Sequence, residues 1–113
     1  MSFFADGCLL RVFIDETNKK DGIPLYSWLV RRAKEIGVAG ATVTRSLEGY
    51  GGHHRIHTAK ILELSMDLPV VIEFIDTQEK IEMFIPVLDD ALRDGGLATL
   101  ENVKMQVYTS KTG

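Results

Sequence analysis

The chain has 113 residues, of which 45% are hydrophobic, and its 13 lysines and arginines against 16 aspartates and glutamates give a net charge of −3. This length suits one domain with one core, so we expect a single domain over residues 1–113. The slight negative charge excludes the class of general nucleic-acid binders, which need a net basic surface. The sequence has neither a basic-then-apolar leader nor an apolar run of about 18 residues, so we expect a cytoplasmic protein.

The first half of the chain predicts a strand, a helix and a second strand. Apolar residues occupy both alternating sets of residues 9–14, so both faces of the first strand should be covered. The helix begins near Pro24, where proline is tolerated, and ends at Gly37, which suits left-handed backbone. The second strand has one hydroxyl-rich side, and Arg45 interrupts its apolar side with no evident partner.

The second half predicts a third strand, a second helix and a last strand. Residues 56–64 fit a strand or a helix equally well, whereas residues 68–75 clearly predict a strand. Asp76 is expected to cap the second helix, because Glu79 follows it at the spacing of a capping box. Alternating apolar and polar residues over 103–108 predict the last strand.

The order of these elements predicts an α+β, ferredoxin-like βαββαβ fold with one mostly antiparallel sheet and both helices on one face. Residues 8–108 would form its core, and the tail 109–113 is expected to fray. The face without helices still presents apolar residues, so a second subunit is needed to bury it. We therefore predict an oligomer.

A glycine-rich loop, expected over residues 49–58, follows the second strand. Gly49, Gly51 and Gly52 permit positive φ and let a ligand approach the main-chain N–H groups, which can form an anion-binding nest. Arg55 could add a two-pronged contact to a phosphate. The other interpretation is a hairpin tip with solvated polar residues, and the spacing is neither a Walker loop nor a dinucleotide fingerprint.

The three histidines of the chain, His53, His54 and His57, all lie in this loop. Imidazole is a common ligand of zinc, copper and nickel, but no nearby cysteine completes a familiar metal site. Hydrogen bonding to a ligand, or titration near neutral pH, is the interpretation that we favour.

The sequence contains no complete catalytic set, so we do not expect an enzyme. The paired carboxylates of 15–16 point to opposite faces of a strand, and those of 89–90 are most simply solvated. No serine has a nucleophile-elbow pattern, and Cys8 lies in an apolar run typical of a buried thiol. An enzyme acting on a small phosphorylated substrate stays open as an alternative.

Residues 37–58, GVAGATVTRSLEGYGGHHRIHT, closely resemble the segment that enters the flexible T-loop of PII signalling proteins. Over about residues 8–108 the chain is similar to the PII-like branch named domain of unknown function 190. The phrases that carry this resemblance are LRVFIDE, IPLYSWLVRRAKEIGVAGATVTR and GYGGHHRIHTAKILELSMDLPVVIEFID.

The resemblance implies a homotrimer that binds adenine nucleotides in clefts between neighbouring subunits. It implies that Thr42 faces the adenine and that Gly49, Tyr50 and Gly51 line the cleft. In such proteins the ligand reorders the T-loop, which then engages or releases a partner, often a membrane transporter or channel, or an enzyme.

Two departures from the PII pattern bear on the ligand. Gly52 and His53 stand where PII proteins have arginine and glutamine, and the region 93–97 is shorter than the PII triphosphate loop and lacks its lysine. We therefore expect AMP, ADP or another small anion, and no required cofactor. The candidate ligand-binding residues are Thr42, Gly49, Tyr50, Gly51, Gly52, His53 and Arg55. The alternative function is a metal-binding trimer that uses His53, His54 and His57.

Overall fold

The computed structural model of the chain describes residues 3–50, 57–58 and 68–109. Within these ranges the chain forms two helices and eight strands, several of them only two residues long. In chain order they are β1 Ala5–Asp15, β2 Lys19–Lys20, β3 Ile23–Pro24, α1 Leu25–Ile36, β4 Gly40–Arg45, β5 Glu48–Gly49, β6 His57–Thr58, β7 Pro69–Asp76, α2 Gln78–Ala91 and β8 Leu97–Met105.

The main sheet has the strand order β4-β7-β1-β8, and every neighbouring pair in it is antiparallel. The predicted βαββαβ fold of the ferredoxin-like type is therefore confirmed. Between β1 and α1, β2 and β3 form a small hairpin that was not predicted from the sequence. Asp21 and Gly22 have φ of 53° and 81°, the positive values that an Asp-Gly type I′ turn requires.

One face of the main sheet, which we call the helix face, forms the core with both helices. On this face the alternate residues of the central strands β1 and β7 and the inward residues of α1 and α2 are almost completely buried, whereas those of the edge strands β4 and β8 are exposed. The rings of Phe74 and Phe84 pack with their centroids 4.7 Å apart. The buried cluster comprises Cys8, Leu10, Val12, Ile14, Leu25, Leu29, Ala33, Val70, Ile72, Phe74, Ile81, Phe84 and Leu88.

The end of α1 follows the prediction, whereas the start of α2 does not. Gly37 ends α1 with a φ of 98°. The cap of α2 is Thr77, whose hydroxyl accepts from the Lys80 amide at 3.3 Å. Asp76 still belongs to β7, and its carboxylate accepts from the amides of Ala39 at 2.8 Å and Thr77 at 2.6 Å. The expected Asp76 cap was therefore wrong, because this carboxylate ties the start of β4 to the end of β7.

The two edge strands differ from their predicted extents. β8 begins at Leu97 and ends at Met105, because its pairing with β1 runs from Phe13 opposite Leu97 to Ala5 opposite Met105. Most of β8 is exposed, so its hydrophobic alternation is weak and residues 97–102 gave no strand signal. β4 likewise stops at Arg45, although the alternation of residues 41–48 predicts a longer second strand.

The other face of the main sheet, which we call the open face, carries no helix of the described residues. Its apolar side chains on the two central strands, Leu9, Phe13, Val71 and Ile75, are half-buried within one chain. Both faces of the first strand were expected to be covered. Within one chain, the described helices cover only its helix face. No helix in the described part of the chain is both long and apolar enough to span a membrane.

Candidate functional site

A row of polar residues crosses the open face from one edge of the sheet to the other. Thr42 in β4 lies opposite Glu73 in β7, Glu73 lies opposite Arg11 in β1, and Arg11 lies opposite Thr99 in β8. Directly opposite residues on neighbouring strands have their side chains close together on the same face. We call these four residues the polar row.

Arg11 holds the centre of the polar row. Its Nε and Nη2 both lie 2.9 Å from Oε2 of Glu73, and its Nη1 lies 3.4 Å from Oε1 of Glu101. Since one guanidinium contacts two carboxylates, Arg11, Glu73 and Glu101 together carry one net negative charge. Both contacts with Glu73 use the same oxygen, so the position of this carboxylate is fixed while its Oε1 can still accept a hydrogen bond from a ligand.

Thr42 occupies the exposed edge of the sheet, where the polar row ends. Its side chain is exposed, and it lies on the open face together with its neighbour Glu73. A hydroxyl can donate and accept, while an ionised carboxylate accepts only. The pair can therefore recognise a ligand that offers both hydroxyl or amino donors and a ring acceptor.

The root of the predicted loop lies just beyond β4. There β5 and β6 pair, with Gly49 opposite His57 and Glu48 opposite Thr58. Gly49 is in extended backbone rather than the left-handed region, so positive φ does not explain this glycine. Tyr50 is 59% exposed. The remaining candidates lie outside the described residues, namely Gly51, Gly52, His53, His54 and Arg55.

The partner of Arg45, which the sequence did not reveal, is Glu16. Nη2 of Arg45 contacts Oε1 of Glu16 on the helix-face side of the end of β4. Close by, the amide of Ser46 donates to the Pro69 carbonyl at 3.1 Å, and the amide of Glu16 donates to the Leu68 carbonyl at 2.7 Å. These three contacts fix the point at which the main sheet gives way to the loop.

Other candidate groups have structural partners. Asp90 contacts Arg93 and lies 3.6 Å from Lys20, and the Cys8 thiol is buried, as predicted. Among residues 3–50 and 68–109 no group of three or more histidines, cysteines, aspartates and glutamates could hold a metal ion. The metal-binding alternative depends on histidine side chains outside that set and stays a prediction.

Comparison with known proteins identifies the family. Residues 7–105 match the DUF190 model, described as "Uncharacterized ACR, COG1993". The chain belongs to this family. It is 43% identical over 97 residues to a UPF0166 protein of Aquifex aeolicus, with 86% of this chain and 90% of the relative covered. A UPF0166 protein of Methanocaldococcus jannaschii is 31% identical over 104 residues, with 92% and 94% covered.

Solved structures of PII-like proteins share the fold of this chain. A PII-like signaling protein of Thermus thermophilus superposes with a TM-score of 0.66 at 18% identity, covering 92% of this chain and 93% of that one. CPII, a nitrogen regulatory PII-like protein of Thiomonas intermedia bound to ADP, AMP and bicarbonate, gives 0.67 at 16% identity, with 90% of each chain covered. The resemblance noted in the sequence is confirmed.

Proposed function

We propose that this protein is a PII-like regulatory sensor that binds an adenine nucleotide with few phosphates, AMP or ADP, between the subunits of a homotrimer. The observation that carries the proposal is the pairing of Thr42 with Glu73 on an open face, on the strand that leads to the loop root. The ADP and AMP in CPII, which shares the fold, support the same ligand class.

The open face supports a site between subunits. Its half-buried apolar side chains flank the polar row and need a further cover, which a second copy of the chain can provide. A ligand at the edge strand β4 would then lie against Thr42 and Glu73 on one side and against the neighbouring copy on the other.

The charges of the site favour a ligand with few phosphates. Arg11, Glu73 and Glu101 carry one net negative charge, and Arg93 contacts Asp90 rather than facing a cleft alone. Each additional phosphate would add negative charge near these carboxylates, where like charges repel. AMP or ADP therefore suits the site better than ATP, and another small anion is the weaker competitor.

Signalling would pass from β4 into the loop. A ligand that contacts Thr42 touches the strand that continues through Arg45 and Ser46 to β5. Ligand binding shifts the loop only by the difference in affinity between its two states, and ordering of a segment is a common form of such a switch. A membrane transporter or channel, or an enzyme, would read the loop in the cytoplasm.

Calorimetric titration with AMP, ADP, ATP and cyclic AMP tests the proposed ligand. We expect AMP or ADP to bind more tightly than ATP, and Thr42→Val to weaken binding about tenfold, or about 1.4 kcal/mol. Thr99→Val is the matched control, because Thr99 ends the same polar row at the opposite edge, and it should leave affinity unchanged. The proposal fails if none of the four nucleotides releases heat, or if both threonine variants bind alike.

Sedimentation analysis tests the assembly separately. A homotrimer of a 12.6 kDa chain is expected in dilute solution. A stable monomer would remove the cleft on which the proposed site depends.

A further inference from the structure

A pocket lies behind the sheet edge that carries Thr42. It has a volume of about 260 Å³ and is lined by Glu16, Tyr26, Val43, Arg45 and Val70. Arg45 and Val43 alternate with Thr42 along β4, so this pocket faces the helix layer while Thr42 faces the open side. We call it the root pocket, because it adjoins the residues that fix the loop root.

Glu16 supplies a half-satisfied carboxylate to the root pocket. Its Oε1 contacts Arg45, but its Oε2 is buried and has no hydrogen-bond partner among the described residues. The Glu16 side chain is 18% exposed, whereas that of Arg45 is 68% exposed. Buried polar atoms in proteins are nearly always paired, so an unpaired carboxylate oxygen marks a position for a hydrogen-bond donor.

Arg45 supplies the opposite charge at the same pocket. Its guanidinium has five N–H donors in a planar fork, and the contact with Glu16 is made by Nη2. A lone anion near Arg45 would meet the repulsion of Glu16, and a lone cation near Glu16 would meet that of Arg45. The two side chains together match a ligand that carries both charges.

We propose that the root pocket binds a free α-amino acid. Its ammonium group would donate to Oε2 of Glu16, and its carboxylate would accept from Arg45. An apolar amino-acid side chain suits the walls, which Val43, Val70 and Tyr26 provide. The volume lies just below the roughly 300–1,000 Å³ of pockets for drug-sized ligands, so the pocket suits one amino acid better than a nucleotide.

This second ligand would act on the loop from the opposite side of β4. Its contacts with Glu16 and Arg45 would bear directly on the ion pair beside the Ser46–Pro69 hydrogen bond. The sensor would then read two chemically unlike ligands at one loop root. The proposal does not depend on nucleotide binding, because the two sites use different faces of the strand.

Calorimetry and thermal shift of the full chain with each of the proteinogenic amino acids test the proposal. At least one apolar amino acid, with leucine as the first probe, should bind once per chain and raise the melting temperature. N-acetyl-leucine lacks the ammonium group and leucinamide lacks the carboxylate, so each should bind at least tenfold more weakly. Glu16→Gln and Arg45→Gln should each weaken leucine binding at least tenfold.

Arg31→Gln is the matched control, since Arg31 is exposed on α1 outside the pocket, and it should leave binding unchanged. Arg45 is mostly exposed, so Arg45→Gln keeps the test interpretable if Glu16→Gln lowers the yield of folded protein. Absence of heat and of a melting shift with every amino acid would overturn the proposal and leave Glu16 to an ordered water. Equal binding of leucine and leucinamide would overturn it as well. Loss of nucleotide binding alone would leave it standing.

Discussion

Both faces of the main sheet carry alternating apolar residues on the central strands, but the two faces differ in how far these residues are buried. On the helix face, the residues of the central strands β1 and β7 are covered by α1 and α2 and are almost fully buried. On the open face, the apolar residues are half-buried, and Arg11, Glu73 and Glu101 interrupt them with ion pairs. On the face that one chain covers, the buried carboxylate of Asp76 lies at the end of β7 and is satisfied by two amides, whereas a face that meets another molecule can keep charges at its centre that define what it meets.

The largest expected effect comes from comparing two isoleucines of β7, one on each face of the sheet. Ile72 on the helix face is fully buried, and Ile75 on the open face is half-buried. Ile72→Ala should lower the free energy of unfolding by about 2–5 kcal/mol, as is usual for a buried isoleucine. Ile75→Ala should cost clearly less at concentrations low enough to separate the subunits, because water then reaches part of its side chain. Urea denaturation of both variants measures the difference.

Protein concentration sharpens this comparison. If copies of the chain cover the open face, the stability of the Ile75→Ala variant should fall further behind the parent as concentration rises, since assembly stabilises by mass action. The Ile72→Ala difference should not depend on concentration in this way. Equal costs for the two variants at low concentration would mean that one chain already covers both faces.

A smaller effect is expected from the charge at the centre of the open face. Arg11→Met removes the partner of both Glu73 and Glu101, and these side chains are only partly exposed. We expect a loss of about 1 kcal/mol in the free energy of unfolding, near the upper end for partly exposed ion pairs. Arg11→Lys should retain part of this stability, because it keeps the charge but loses the fork.

The salt dependence of this stability loss shows whether the polar row is exposed to water in solution. At about 1 M salt the Debye length is about 3 Å, so the difference between Arg11→Met and the parent should shrink if the row is solvated. A difference that salt leaves unchanged would mean that the ion pairs are covered by another subunit. Glu101→Gln serves as control, because it leaves the shorter contact between Arg11 and Glu73 in place.

The same contrast explains how much of the molecule could be predicted from its sequence. The helix face was predictable because 3.6- and 2-residue periods mark burial, and Gly37 marked the end of α1 as expected. The edge strand β8 was predicted only in part, since exposure on both sides removes the alternation that reveals a strand. The cap of α2 was misplaced because Asp76 is also the last paired residue of β7, a role that only the register shows.

The candidate site stays a prediction, and the sequence offered only part of the residues that the structure brings together there. Thr42 was proposed by resemblance and the loop glycines by their backbone freedom, whereas Glu73 was missed although a single glutamate within the apolar run VVIEFI was a usable signal. Its partner Arg11 lies 62 residues away in the chain, and no local pattern joins them. The contact between Arg45 and Glu16 was invisible for the same reason, because side-chain pairing across a sheet requires the strand order.

The smallest expected effect is at the exposed start of β1, beyond the part of the helix face that the helices cover. Asp6 is two residues from buried Cys8 on the same side of β1, and it pairs with Lys104 directly opposite. The hydrogen bond from Lys104, and then its charge, lower the pKa of Asp6 below 3.8. A lowered carboxyl pKa gives a stability contribution that is present above the unfolded pKa and is lost as pH falls through the folded pKa.

Acid titration followed by NMR checks this pair. The pKa of the Asp6 carboxyl should lie below its ordinary value in the parent and return to it in Lys104→Met. Because Asp6 is 90% exposed, the stability contribution of the pair should be small, present above about pH 4, lost as the pH falls below that, and weaker at high salt. An Asp6 pKa that does not respond to Lys104→Met would show that Asp6 and Lys104 do not pair in solution.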